Sequence, residues 1–218
     1  MRGCWAVFDL DGVILDSVGM KQAAFRAVFE DYPEADEIDA YNRANPGVPR
    51  RLKIAHVVAE ICRQAATPSV IGDLEDRYRA EIADRSEAVV LMAGARELLV
   101  RDRPFECVVN SSVPRADIVE ALERHGLAET FVEIHGYPKT KAGVLTRLRQ
   151  TDPNRALIFL GDSQADQDAA GQAHVPFIAV GDEIFRDPVD RISDLADTEA
   201  VVRMIMTRAR PAHGRNCS

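Results

Sequence analysis

Asp9 and Asp11 follow a short apolar segment, Cys4 to Phe8, that contains Trp, Val and Phe. Such a segment is typical of a buried parallel strand that ends in a loop. Side chains alternate along an extended chain, so two carboxylates two residues apart can face one crevice while Leu10 points into protein. Gly12 permits a sharp turn and the close approach of a ligand. An exposed turn rich in Asp and Gly is the alternative interpretation of this motif alone.

A second acidic pair, Asp162 and Asp166, follows the apolar segment that ends at Leu160. Its spacing predicts a loop that runs into a helix. Together with Asp9, these carboxylates make an all-oxygen set of ligands, which suits the hard cation Mg²⁺. An acidic helix N-terminus is the alternative.

Hydroxyl and ammonium groups occupy two further positions of the same kind. Ser111 and Ser112 follow the segment Phe105 to Asn110, where a hydroxyl and nearby backbone N–H groups can bind a phosphoryl oxygen. Lys139 or Lys141, at the start of a predicted helix, can neutralise phosphate charge and brace a carboxylate. Ordinary loop or N-cap serines and solvated lysines are the alternatives.

Strand-like and helical segments alternate through most of the chain. Strands are predicted at Cys4–Phe8, Phe105–Asn110, Ala156–Leu160 and Phe177–Val180, with weaker ones at Phe131–His135 and around Asp194–Ala196. Helices are predicted at Arg115–His125, Lys141–Arg149 and Asp166–Ala173. This order predicts an α/β fold, a Rossmann-like, doubly wound parallel sheet with helices on both faces. Ligands of such sheets bind at the carboxyl ends of strands, where all the motifs above lie.

The stretch from Ser17 to Leu91 departs from this alternation and contains no convincing strand. Its helical candidates are Gly19–Glu30, Arg51–Ala65 and Ile71–Arg85. We therefore predict a core made of residues 1–16 and 92–207, an inserted helical domain at 17–91, and a disordered tail at 208–218.

Composition excludes several classes of protein. The 218 residues carry a net charge of −8, which disfavours binding to nucleic acid. No apolar stretch approaches a membrane span, and the scattered cysteines (Cys4, Cys62, Cys107, Cys217) indicate reduced thiols in a cytoplasmic protein. The dispersed histidines disfavour a zinc site, and dinucleotide and Walker A motifs are absent.

The ordered set of motifs resembles the haloacid dehalogenase-like phosphatase superfamily from Cys4 to about Val180, in particular the phosphoglycolate phosphatase and β-phosphoglucomutase group. The resemblance implies that the helical domain is a cap, that Asp9 is the nucleophile and that Asp11 is the acid/base. It also implies that Ser111 and Lys141 bind phosphate, with Ser112 and Lys139 as their alternatives. Mg²⁺ would be held by Asp9, Asp11, Asp162 and Asp166. The family often has Pro-Gly after the cap, where this chain has Met92-Ala93-Gly94.

The resemblance predicts a Mg²⁺-dependent phosphatase that acts on a small phosphorylated metabolite through an aspartyl-phosphate. Residues 42–53 are unusually basic for this acidic chain, so Arg50 and Lys53 are candidates to bind an anionic leaving group. A solvated helix start is the other interpretation of this segment.

Four rival functions remain open on the same fold. A phosphomutase would use the same aspartyl-phosphate. A phosphonatase needs a cap lysine for Schiff-base chemistry, for which the only cap lysines, Lys21 and Lys53, give no clear counterpart. Asp11 disfavours a dehalogenase, because a departing halide needs no proton. The fourth rival is a non-catalytic binding protein, which would have no use for an acid/base at Asp11.

Overall fold

Six parallel strands form the main sheet of the chain, whose computed structural model describes residues 3–211. The strands are β1 Cys4–Phe8, β2 Leu15–Asp16, β3 Val90–Leu91, β4 Phe105–Pro114, β5 Phe131–Tyr137, β6 Leu157–Gly161, β7 Phe177–Val180 and β8 Asp190–Ile192. The α-helices are α1 Val18–Val28, α2 Ala35–Ala44, α3 Arg50–His56, α4 Pro68–Arg85, α5 Ala95–Val100, α6 Arg115–Arg124, α7 Lys141–Thr151, α8 Gln164–Ala173 and α9 Thr198–Arg208.

The described residues divide into two compact units. One contains the chain up to Leu15 and from Leu91 onward, and the other is Asp16–Val90. The short strands β2 and β3 pair where the chain passes from one unit to the other.

The main sheet has the order β5-β4-β1-β6-β7-β8, and its neighbouring strands pair in parallel. β1 lies between β4 and β6, with Phe8 in register with both Val109 and Leu160. The carboxyl ends of β1 and β6 therefore meet at one edge, where β4 continues beyond Val109. This confirms the predicted Rossmann-like parallel sheet, with helices that flank it.

The first unit has a continuous apolar core on one face of this sheet. β1 and β6 contribute Val7 and Phe159, and α7 contributes Val144, Leu145 and Leu148. The three α7 residues follow the three- and four-residue spacing of one helix face. This packing fixes the start of α7 beside the sheet edge at which the candidate site lies.

One sequence prediction in the C-terminal region is wrong. The last strand is β8, and the predicted segment Asp194–Ala196 is instead a bend in which Asp194 Oδ1 accepts from the Ala196 N–H at 2.9 Å. Within residues 208–211, where the predicted tail begins, Arg210 pairs with Leu157 through backbone hydrogen bonds of 3.0 and 3.3 Å. That pairing satisfies the backbone groups of the first β6 residue. The rest of the predicted tail, 212–218, lies outside the described residues.

The second unit is built from α1 to α4 around its own apolar core. Phe25, Phe29, Ile38, Ile54 and Tyr78 are among its buried residues. The sequence analysis missed α2, and the helix predicted over Arg51–Ala65 is shorter: α3 passes into a π-helical turn at Val57–Ile61. The predicted absence of a strand is also wrong at one end, since Val90 belongs to β3.

Three cysteines lie within the described residues and none forms a disulfide there: Cys4, Cys62 and Cys107. Cys217 lies outside them. Among residues 3–211, no helix combines the length and the apolar character needed to cross a membrane.

Candidate active site

Asp9 lies directly after β1 at the middle of the sheet edge. Its backbone N–H donates to Leu160 O at 2.9 Å, which ties it to the end of β6. The residue is only 4% exposed. The first predicted site residue is therefore a buried carboxylate between two strand ends.

Lys141 begins α7 and lies between two carboxylates. Its Nζ is 2.8 Å from Asp9 Oδ2 and 2.5 Å from Asp166 Oδ1. The side chain of Asn110, in the second half of β4, donates to Lys141 O at 3.0 Å. Lys139 is exposed, so of the two candidate lysines the structure brings Lys141 into the site.

The loop from β6 into α8 carries the second acidic pair. Ser163 is the N-cap of α8, and its hydroxyl donates to Asp166 Oδ2 at 2.6 Å. The Ser163 N–H donates to the same oxygen at 3.2 Å, which completes a capping box. Asp166 is fully buried, so it fixes the helix start with one oxygen and Lys141 with the other.

Two glycines allow these loops to pack closely. Gly12 has a φ of +74°, and a Cβ there would collide with the Asp162 carboxylate. A Cβ on Gly161 would overlap the Asp166 side chain. The loop after β1 therefore lies directly against the loop after β6.

The electrostatics of the site favour a bound cation. Burial raises the pKa of Asp9 to about 6; Lys141 opposes the rise, whereas Asp166 and Asp11 add to it. Burial, together with Asp9 and Asp166, raises the pKa of Asp162 to about 8. Burial alone would lower the pKa of Lys141, but Asp166 and Asp9 outweigh it, so the pKa is raised and the ammonium stays charged.

Three carboxylates have the geometry of a metal site. Asp9, Asp162 and Asp166 each offer an oxygen, and these atoms all lie within 4.8 Å of one another. Asp9 Oδ1 is buried and accepts no hydrogen bond from residues 3–211. An all-oxygen set with one unsatisfied buried carboxylate oxygen fits Mg²⁺. Asp11 lies close enough to raise the pKa of Asp9 and Asp162 but is not one of the three, so its role as a ligand stays a prediction.

The two candidate serines lie near the end of β4. Ser111 is buried, with its Oγ accepting from the Val113 N–H at 3.4 Å, whereas Ser112 is half-buried. Val109 pairs with Phe8, so Ser111 and Asp9 both follow this register pair at the same sheet edge.

Arg50 and Lys53 belong to the second unit. The Arg50 guanidinium lies 5.0 Å from the centre of the Tyr78 ring. Lys53 Nζ donates to Asn42 Oδ1 at 2.9 Å. Burial and the nearby Lys21 ammonium lower the pKa of Lys53 to about 8.

Three residues that position the site were not predicted from the sequence. Asn110 and Thr140 hold the start of α7, the latter by accepting from the Gly143 N–H at 3.1 Å. Ser163 holds Asp166. The Ser-x-x-Asp spacing was a readable capping signal, and Thr140 is a common N-cap type, but nothing in the sequence pairs Asn110 with Lys141.

The geometry above agrees with a family model that matches most of the chain. The model described as haloacid dehalogenase-like hydrolase matches residues 6–180. The chain belongs to the haloacid dehalogenase-like hydrolase family. Among curated proteins, none matches the sequence.

Solved structures of several other proteins share the fold. A predicted phosphoglycolate phosphatase from Haemophilus somnus is 16% identical, with a TM-score of 0.72 over 92% of this chain and 98% of its own. The β-phosphoglucomutase of Clostridium difficile is also 16% identical, with a TM-score of 0.75 over 95% and 100%. A hydrolase from Pseudomonas syringae is 17% identical, with a TM-score of 0.74 over 94% and 99%. At these identities the likeness is one of fold.

Proposed function

We propose that this hydrolase is a phosphatase that removes the phosphoryl group from a small phosphorylated metabolite, with Asp9 as its nucleophile. The observation that carries the proposal is the state of the Asp9 carboxylate. One oxygen is held by Lys141 at 2.8 Å, and the other is buried without a hydrogen bond from any described residue. A buried carboxylate fixed in this way loses little conformational entropy when it attacks a substrate.

The reaction would proceed in two displacements at phosphorus. Asp9 attacks the phosphorus, the bond to the ester oxygen breaks, and Asp11 gives a proton to the leaving oxygen. Asp11 then takes a proton from a water molecule that attacks the same phosphorus. The bond between phosphorus and Asp9 breaks, which releases phosphate and restores both carboxyl groups.

The positive charge at this acidic edge would come from two sources. Mg²⁺ held by Asp9, Asp162 and Asp166 would neutralise phosphate oxygens, which otherwise repel the attacking carboxylate. Lys141 supplies a second, permanent cation. Ser111, or Ser112 in its place, would donate a hydroxyl and backbone N–H groups to the phosphoryl oxygens, and Gly12 would allow their close approach.

Arg50 and Lys53 would bind the leaving group, if the helical unit acts as a cap that covers the site. The support is chemical: Lys53 is half-buried near Lys21, and its ammonium donates to Asn42. Such an ammonium would favour a carboxylate or a second phosphate on the substrate. We also propose a cytoplasmic location, with no role for nucleic acid or membranes.

Two other reactions need separate tests. A phosphomutase would return the phosphoryl group to the sugar, so it would give an isomer instead of inorganic phosphate. The lowered pKa of Lys53 also reopens the phosphonatase interpretation, because a neutral amine can form an imine with a carbonyl substrate. Borohydride would reduce such an imine and attach the substrate covalently to the wild type but not to Lys53→Arg.

The decisive experiment measures inorganic phosphate released from a panel of phosphorylated metabolites. We expect turnover that requires Mg²⁺, is lost in EDTA and is absent from Asp9→Asn. Asp182→Asn, which alters an exposed carboxylate, is the matched control and should retain activity. Full turnover by Asp9→Asn would overturn the nucleophile assignment, and metal-independent turnover would overturn the role of Mg²⁺.

A further inference from the structure

A loop after β7 is joined to the outer face of α8 by side chains that the proposed reaction does not use. Arg186 lies in this loop, and its Nη2 contacts Asp168 Oδ1 at 2.7 Å and Oδ2 at 2.5 Å. The Arg186 N–H donates to Gln164 Oε1 at 2.8 Å. Gln164 Nε2 in turn donates to Asp168 Oδ1 at 2.8 Å. The three residues form a closed network, which we call the α8 clamp.

A fourth residue reinforces the attachment of this loop. Gln167 Nε2 donates to Asp187 O at 3.1 Å, and Gln167 Oε1 accepts from Gln164 Nε2 at 2.8 Å. Gln164, Gln167 and Asp168 have the three- and four-residue spacing of one helix face. The loop is therefore held against the first turns of α8 through side-chain atoms and through backbone atoms.

Two of the candidate metal ligands, Asp162 and Asp166, lie at the start of the same helix. Asp166 is fully buried, and Asp162 precedes the N-cap Ser163 by one residue. Gln164 lies between the two carboxylates in sequence and is the first residue of α8. A displacement of the first turn of α8 would thus move Asp162 and Asp166 relative to Asp9, which is fixed separately at the end of β1.

We propose that Arg186 is a positioning residue for the metal site, which it supports through Asp168 and Gln164. The inference rests on the proposed Mg²⁺ site but not on the substrate or on turnover. An isolated exposed ion pair contributes little, but a pair with two close contacts inside a hydrogen-bonded network is the case in which a larger effect is expected. Because the ligands are prearranged by the clamp, less ordering is needed when the cation binds.

The test is calorimetric titration of the metal-free protein with Mg²⁺, which needs no substrate. We expect Arg186→Ala to weaken Mg²⁺ binding by about threefold to fivefold, the range that a well-connected surface pair can supply. Arg186→Lys, which retains the charge but not the guanidinium group, should recover part of this loss. The double variant Arg186→Ala with Asp168→Asn should lose no more than the single variant, since both substitutions remove the same ion pair.

Arg208→Ala is the matched control. It removes another exposed pair of the same type, Arg208 Nη2 to Asp190 Oδ1 at 2.7 Å, which joins α9 to β8. Hydrogen exchange should become faster at residues 162–168 in Arg186→Ala and not in Arg208→Ala.

The outcomes separate this inference from the proposed function. If the wild type binds Mg²⁺ and Arg186→Ala binds it equally well, the positioning role is overturned while the metal site stands. Equal losses of Mg²⁺ affinity in Arg186→Ala and Arg208→Ala would mean that the clamp contributes only to general stability. That result would also overturn the positioning role. A wild type that binds no Mg²⁺ would overturn the metal site and the clamp's role with it.

Discussion

Lys141 Nζ lies 2.8 Å from Asp9 Oδ2, so the residue that begins α7 fixes the carboxylate at the end of β1. Both side chains are nearly inaccessible to water, with 6% of each exposed. A buried ion pair of this kind contributes little net stability when complete, but loss of one partner leaves an uncompensated charge. The pair therefore keeps a cation among the carboxylates at this edge of the sheet.

Replacement of Lys141 by Met should destabilise the metal-free protein by about 3 to 5 kcal/mol, because Asp9 and Asp166 lose their shared cation. Mg²⁺ should restore part of this loss by taking over the neutralisation. Denaturant unfolding in EDTA and in Mg²⁺ measures both effects. Lys139→Met, at an exposed position two residues away, should leave both curves unchanged, and an equally stable Lys141→Met would contradict the prediction.

Replacement of Asp11 by Asn should lower turnover by about 10²- to 10⁴-fold, the range for loss of a general acid/base. Because water activation is also impaired, the phosphorylated form of Asp9 should accumulate with a substrate whose leaving group needs no proton. Intact-protein mass spectrometry of quenched samples detects this species. Asp16→Asn, at an exposed carboxylate, is the control, and undiminished turnover by Asp11→Asn would remove the assigned role.

Replacement of Gly12 by Ala should weaken Mg²⁺ binding, since the added Cβ would displace the Asp162 carboxylate. Backbone strain at a φ of +74° also reduces stability, by about 1 to 3 kcal/mol. Gly126→Ala separates the two effects: Gly126 has a φ of +65°, but a Cβ there meets no atom within 4 Å. Loss of Mg²⁺ affinity in both variants would contradict a collision as the cause.

Removal of the metal should make stability depend on pH. The pKa values of Asp9 and Asp162 are raised from 3.8 to about 6 and about 8, so the folded protein binds protons more readily than the unfolded chain. In EDTA the melting temperature should therefore fall as the pH rises towards about 8, and Mg²⁺ should reverse the fall. Asp162→Asn should flatten the upper part of the curve, whereas a rising curve in EDTA would contradict the electrostatics.

The charge on Lys53 should control the binding of an anionic leaving group. Its pKa is lowered to about 8 from 10.5, so it is charged below about 8 and loses its proton above it. Burial of the charge costs stability below that pH, and the cost is relieved as the pH rises from about 8 towards 10.5. KM should rise over the same interval.

In the variant Lys53→Arg, which stays charged, this rise in KM should begin at a higher pH. Lys139→Arg changes an exposed lysine and should leave the pH profile as in the wild type. A KM that is independent of pH in the wild type would exclude Lys53 from substrate binding.

The sequence by itself determined the sheet and the order of the motifs. Apolar segments such as Cys4–Phe8 and Phe177–Val180 are strands with the predicted bounds, because a strand buried on both faces requires continuous hydrophobicity. Polar residues directly after such strands must lie at one edge of a parallel sheet. Asp9 and Asp162 could therefore be assigned to one site from local patterns alone.

Only the tertiary structure decided which neighbouring residue enters the site. Lys139 and Lys141 have the same chemistry and lie two residues apart, but the direction of α7 places Lys141 between Asp9 and Asp166. The α8 clamp could not be predicted from the sequence either, because Arg186 and Asp168 are brought together by a loop and a helix that follow different strands. Contacts between distant segments depend on strand order and on packing against the sheet. Neither of these can be predicted from the local periodicity of the sequence.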